Sequence, residues 1–200
     1  MRKLFLFIVC FILFGVGIKA QRFPQAVLPG DYPDPSILRD GKDYYMTHSP
    51  FYYAPGFLIW HSTDLMRWEP VCRALPEYEG SAMAPDLLKY QGRYYIYYPT
   101  STGENYVIYA DDIRGPWSRP VKLDVRGIDP GHVVGEDGKR YLFTNNGWIT
   151  PLSDDGLKVT GKSRKVYDGW KYPANWVTEG KDMYLESPKL LYKDGYYYMM

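Results

Sequence analysis

The sequence predicts an all-β protein built as a β-propeller, and three observations predict it. The first is composition: 21 Tyr, 6 Trp and 8 Phe among 200 residues, beside 19 Gly and 16 Pro. Aromatic side chains suit a pleated surface, and Gly and Pro punctuate frequent turns. The second is a repeat with a period near 50 residues. The third is that no stretch carries an amphipathic helical period beyond about two turns.

The repeat has one layout: an acid, a short apolar strand, a Gly turn and an aromatic strand. Its four copies open at Asp34, Asp86, Asp129 and Glu186. The turn glycines are Gly41, Gly92, Gly138 and Gly195, at spacings of 51, 46 and 57 residues. Three of them follow an Asp, and Asp-Gly is a strong hairpin signal; Gln91 takes that place in the second copy. Third strands are predicted at Phe57–Ser62 and Asn105–Ala110, and fourth strands at Trp68–Arg73 and Trp117–Lys122. A period near 50 with four short strands per unit points to propeller blades. A β-sandwich, which also spaces its strands regularly, is the competing architecture. The fourth unit stops at Met200 inside its second strand, leaving an apolar unpaired edge. The expectation is a propeller truncated to about three and a half blades, part of a longer chain.

The chain divides into residues 1–20, a secretory signal peptide, and residues 21–200, an incomplete propeller domain. Arg2 and Lys3 precede an apolar run from Leu4 to Ile18, and Ala20 is the cleavage residue. That run is shorter than the roughly 20 residues of a membrane span and suits a secretory core. An uncleaved anchor is the alternative. The mature chain holds 21 basic and 23 acidic residues, a net charge of −2, so no basic field invites nucleic acid. No stable membrane span is expected after cleavage, and the location is secreted or periplasmic. One cysteine remains, Cys72, which reads as a buried structural thiol.

In a propeller the first strand of each blade lines the axis, so equivalent positions converge on one mouth. Asp34, Asp86, Asp129 and Glu186 are read as such positions. Crowded carboxylates raise the pKa of at least one, letting one act as acid while another acts as base. Glycoside hydrolysis needs such a pair. Asp-Pro is also a common turn opener, and the same acids would suit a metal ion. Both alternatives stand on spacing alone.

The residues Tyr32-Pro-Asp-Pro-Ser-Ile-Leu-Arg-Asp-Gly-Lys-Asp-Tyr-Tyr resemble the opening motif of glycoside hydrolase family 43. His61-Ser-Thr-Asp-Leu-Met-Arg-Trp68, Ala84-Pro-Asp86, Ile128-Asp-Pro130 and Glu186-Ser-Pro188 follow in the family's order, so the resemblance spans nearly all of residues 25–200. It implies a five-bladed propeller and inverting hydrolysis by β-xylosidases, α-L-arabinofuranosidases or arabinanases. It assigns Asp34 as general base, Glu186 as general acid and Asp129 as the third acid, which orients the general acid and tunes its pKa. An inverting pair leaves room for water at a carboxyl separation of roughly 6.5–9.5 Å. Ser187 stands where members often carry Gly. No cofactor is required by these residues, and a structural cation at the axis is left open.

Sugar rings present flat apolar faces that aromatic side chains cover. Phe51 and Tyr52 resemble the loop that walls the terminal sugar in the family's xylosidases and arabinofuranosidases. Trp170 and Trp176 lie in the long connection before Glu186, as rim candidates. Asp86 is expected to support the mouth and contact substrate. His61 and His132 read as hydrogen-bonded structural residues. The substrate implied is an oligo- or polysaccharide of xylose or arabinose. A fructan-cleaving propeller would carry Asn before the first acid, where this chain has Pro33. A carbohydrate-binding propeller without catalysis is the non-enzymatic alternative.

Overall fold

A computed structural model describes residues 26–78, 80–168, 171, 173–176 and 185–200. Among them the fold is all-β, with 3-10 turns at Asn145–Gly147 and Ala174–Trp176. Sheet I contains β1 (Ser36–Asp40), β2 (Asp43–Thr47), β3 (Gly56–Ser62) and β4 (Glu69–Leu75). Sheet II contains β5 (Asp86–Tyr90), β6 (Arg93–Pro99), β7 (Asn105–Ala110) and β8 (Val121–Leu123). Sheet III contains β9 (Gly131–Val134), β10 (Arg140–Thr144), β11 (Trp148–Pro151) and β12 (Arg164–Lys165). A hairpin follows, β13 (Leu190–Lys193) and β14 (Tyr196–Met199). Every strand pairs antiparallel with its sequence neighbour.

The strands agree with the sequence expectation except the fourth of sheet II. That one was expected from Trp117 and instead covers Val121–Leu123. Pro116 and Pro120 lack amide hydrogens and cannot continue a ladder. Trp117 packs its ring against the core of sheets I and II instead and donates to the Ile113 carbonyl.

The first strands of successive units are neighbours: β1 lies beside β5, β5 beside β9, and β9 beside β13. Side chains tie them together. Ser36 Oγ accepts the Leu87 amide at 3.0 Å, and Asp86 Oδ2 accepts the His132 amide at 2.8 Å. Ser36 and Asp86 each begin the first strand of their sheet, so one interaction recurs between consecutive sheets.

Strand β6 shows how sequence drives this packing. Its period of two sends Tyr94, Ile96 and Tyr98 into the core shared with sheet I. Tyr95 and Tyr97 go into the core shared with sheet III, beside Val107, Leu123 and Leu142. A strand buried on both faces cannot alternate with polar residues, which explains the run Tyr-Tyr-Ile-Tyr-Tyr. Cys72 is half-buried and gives its thiol to the Ile113 carbonyl, and burial pushes its pKa up.

The second core encloses a charge. Arg140 is 1% exposed, with its guanidinium between the rings of Tyr90 and Tyr95 at 4.5 and 4.4 Å. It donates to Tyr97 Oη, the Asp154 carbonyl and His132 Nε2. The delocalised cation suits this aromatic cage, but the bond to His132 requires a neutral imidazole with Nε2 unprotonated. Burial first, then the Arg140 charge, pushes the His132 pKa down to about 4. An unfolded histidine titrates near 6.5, so between these values the unfolded chain binds more protons. Stability is therefore expected to fall as pH drops from about 6.5 to 4, by up to about 3 kcal/mol from this residue. Urea unfolding across that window checks it: His132→Gln, which keeps an acceptor and cannot titrate, should show a shallower acid loss than the natural protein.

Candidate active site

The chain enters each first strand through a residue in left-handed conformation, two positions before β1, β5 and β9 and three before β13. These are Asp34 (φ 52°), Ala84 (φ 39°), Asp129 (φ 58°) and Ser187 (φ 51°). Such angles cost a non-glycine residue on the order of 1–2 kcal/mol, and strain of this kind gathers at functional sites. Four of them at matching positions set the true register of the repeat. Asp34 and Asp129 are equivalent; Asp86 sits two residues later than that position, and Glu186 one residue earlier. The expectation that all four acids share one position is thereby corrected.

Asp34 and Asp129 nevertheless face one cavity of about 220 Å³, lined also by Pro35, Pro85, Ser187 and Lys189. Larger cavities of about 510 and 760 Å³ lie along the outer strands of sheet III and beside Tyr197, away from these acids. Asp34 is exposed, and its Oδ2 accepts from Ser49 Oγ at 2.5 Å. Asp129 is buried, with Oδ2 facing the Ser187 amide at 3.3 Å. Burial holds the Asp129 carboxyl above the ordinary carboxylate range. The charges of Glu186 and Asp34 push the same way, while the Ser187 amide and the Lys189 ammonium partly offset them. Asp129 thus feels both other acids, which is the coupling an acid–base site uses. Glu186 itself is exposed.

The turn between β10 and β11 holds the approach to two of these acids. Asn145 bonds Ile128 twice, from its amide to the Ile128 carbonyl at 2.8 Å and from the Ile128 amide to its Oδ1 at 3.1 Å. The Asn146 amide donates to the Leu185 carbonyl at 2.7 Å. Ile128 precedes Asp129 and Leu185 precedes Glu186, so one turn fixes the spacing of both.

These braces were missed by the sequence reading, as was Lys189. Its ammonium donates to Asp86 Oδ1 at 2.9 Å, the Pro130 carbonyl at 3.1 Å and the Pro85 carbonyl at 3.3 Å. Asp86 is therefore engaged at both oxygens, by Lys189 and by the His132 amide, and ties the start of β5 to β9 and to the entry of the hairpin. Among the described residues no group of three His, Cys, Asp or Glu side chains is arranged to hold a metal ion. Phe51 is half-buried and bonded through its amide to the Ala82 carbonyl, while Tyr52 is 76% exposed; neither lines the cavity. Trp170 lies outside the described residues, and Trp176 is exposed. His61 bonds Asp43 at 2.8 Å, a structural contact like that of His132.

The model of glycosyl hydrolases family 43 matches residues 23–200. The chain belongs to that family. Among its relatives in family 43, the "Xylosidase/arabinosidase" of Butyrivibrio fibrisolvens is 33% identical over 87% of this chain and 37% of its own length. The "Xylan 1,3-beta-xylosidase" of Vibrio sp is 34% identical over 87% of this chain and 36% of its own. The crystal structure of xylan beta-1,4-xylosidase from Bacillus halodurans superposes with a TM-score of 0.73 at 32% identity, covering 89% of this chain and 38% of that one. The chain thus spans little more than a third of the length of these family 43 relatives.

Proposed function

We propose that the full-length protein hydrolyses glycosidic bonds in arabinose- or xylose-containing plant cell-wall polysaccharide by an inverting two-carboxylate mechanism. The observation that carries this is the cavity shared by Asp34 and Asp129, with Asp129 sensing the charge of Glu186. Asp34, exposed at the cavity, takes a proton from the water that attacks the anomeric carbon. Glu186 protonates the departing oxygen from the opposite face. Asp129, whose own carboxyl is pushed up in part by the charge of Glu186, orients Glu186. The names of the relatives, xylosidase and arabinosidase, support the substrate class. A cavity of about 220 Å³ is smaller than pockets for drug-sized ligands and suits one sugar ring.

The three sheets and the hairpin are then three and a half blades of a five-bladed propeller. Residues 1–20 act as a signal peptide, giving a secreted or periplasmic enzyme; Edman sequencing of the exported protein should begin at Gln21. Among the described residues no helix is long and apolar enough to cross a membrane.

The test is release of nitrophenol by the full-length protein from an aryl β-xyloside or α-L-arabinofuranoside, with the product followed by proton NMR. Inversion predicts that the first sugar detected has the opposite anomeric configuration to the substrate. A product of retained configuration would overturn the mechanism. Saturable sugar binding without release would favour a carbohydrate-binding propeller.

A further inference from the structure

We propose that Ser49 is a positioning residue for the base: its hydroxyl fixes one oxygen of Asp34 and leaves the other to take the proton from water. The proposal rests on the assignment of Asp34 as base. Ser49 is 3% exposed and lies two residues past the end of β2, so the ladder between β1 and β2 delivers it to the entry of β1. Three contacts meet there. The Ser49 amide donates to the Pro33 carbonyl at 2.9 Å, Ser49 Oγ lies 2.5 Å from Asp34 Oδ2, and the Ala84 amide donates to the same Oγ at 2.6 Å.

A hydroxyl has one proton to give. The Ala84 amide occupies an acceptor site on Oγ, so the proton points at Asp34. A hydroxyl bonded to a carboxylate belongs to the charge-assisted class, stronger than a bond between neutral groups. Asp34 is otherwise exposed, and the terminal torsion of an aspartate is broad. Without Ser49 the carboxylate would sweep through orientations that do not face the attacked carbon. With it, Oδ2 is committed and Oδ1 remains. Because Ala84 belongs to the entry of sheet II, the same hydroxyl ties the base to two sheets at once. Asp129, lining the same cavity, faces a backbone donor instead, the amide of Ser187.

A misplacement of about 1 Å can cost on the order of a hundredfold in rate. In the full-length enzyme Ser49→Ala is therefore expected to lower kcat about 10- to 100-fold on a nitrophenyl glycoside, with KM within about threefold. Ser49→Cys, somewhat larger and a weak donor, should fall between. The decisive arm is Asp34→Gly assayed with azide, an anionic nucleophile that needs no base. There the glycosidic C–O bond breaks as the C–N bond forms, and nitrophenolate leaves. Ser49→Ala should change that rate by less than about twofold, because the group it positions is gone. An equal loss in the azide reaction would make Ser49 a structural residue and overturn the role. So would a kcat within about twofold of the natural enzyme for Ser49→Ala while Asp34→Asn is inactive. If Ser49→Ala does not fold, Ser49→Cys carries the same comparison. Full activity of Asp34→Asn would instead remove the base itself, a distinct failure.

Discussion

Asp34→Asn in the full-length protein is expected to lower kcat by about 10²–10⁴-fold on every substrate, whatever the leaving group. Asn has nearly the shape of Asp and can still accept from Ser49 Oγ through its carbonyl oxygen, so the cavity and the bond to the Ala84 amide survive. What is lost is an oxygen able to take a proton. The corresponding rise in barrier, about 3–5 kcal/mol, falls on the single displacement step and comes from the loss of base assistance to the water, so it does not depend on the aglycone. Glu186→Gln removes the opposite function. A nitrophenolate leaves without protonation and a sugar alkoxide does not, so this variant should retain far more activity on nitrophenyl glycosides than on unsubstituted disaccharides. Steady-state kinetics of both variants on both substrate types measures the split. If Glu186→Gln loses equally on the two, Glu186 is not the proton donor. If Asp34→Asn spares either, the base lies elsewhere.

Asp34 and Asp129 were legible for a simple reason. They follow turn signals and precede apolar strands, and the adjacency of the first strands of successive sheets brings such positions together. The register between them was not legible, because the turn glycines are not equivalent. Gly41 is the first residue of its two-residue loop, whereas Gly92 and Gly195 are the second, each after a residue already at positive φ (Gln91 at 48°, Asp194 at 52°). Aligning on the glycines slips the copies by a residue, and a one-residue slip exchanges the faces of a strand. That slip accounts for one of the two residues separating Asp86 from the position of Asp34; the structural counterpart of Asp86 is Ser36. The braces were hidden for a different reason. Ser49, Asn145 and Lys189 are polar residues beside turns, where the ordinary expectation is solvent, and their partners lie 35, 17 and 103 residues away. Only the assembled sheets distinguish a braced hydroxyl from an exposed one.

Gly131→Ala tests whether those sheets set the acid. Gly131 occupies in β9 the place that Ser36 and Asp86 hold in the preceding sheets, yet it has no side chain to tie to the next unit. A Cβ there would lie 1.8 Å from the Pro188 carbonyl oxygen and 3.3 Å from Leu190 Cδ1. The first of these is backbone, which cannot swing aside, so the hairpin of β13 and β14 would have to move. Pro188 sits between Ser187, whose amide faces Asp129, and Lys189, whose ammonium holds Asp86. Displacing it strains both ties and carries Glu186 away from its partners. The expected result in the full-length protein is a loss of stability of about 1–3 kcal/mol together with a kcat lowered on the order of a hundredfold. Gly138→Ala is the internal control. It lies in the β9–β10 turn with nothing near its Cβ, so its positive φ of 74° should cost about 1 kcal/mol of stability and leave kcat unchanged. Equal kcat in the two variants, measured below their melting transitions, would mean that contact between β9 and Pro188 does not position Glu186. A loss confined to Gly131→Ala ties the placement of the acid to the one first-strand position where the chain must do without a side chain.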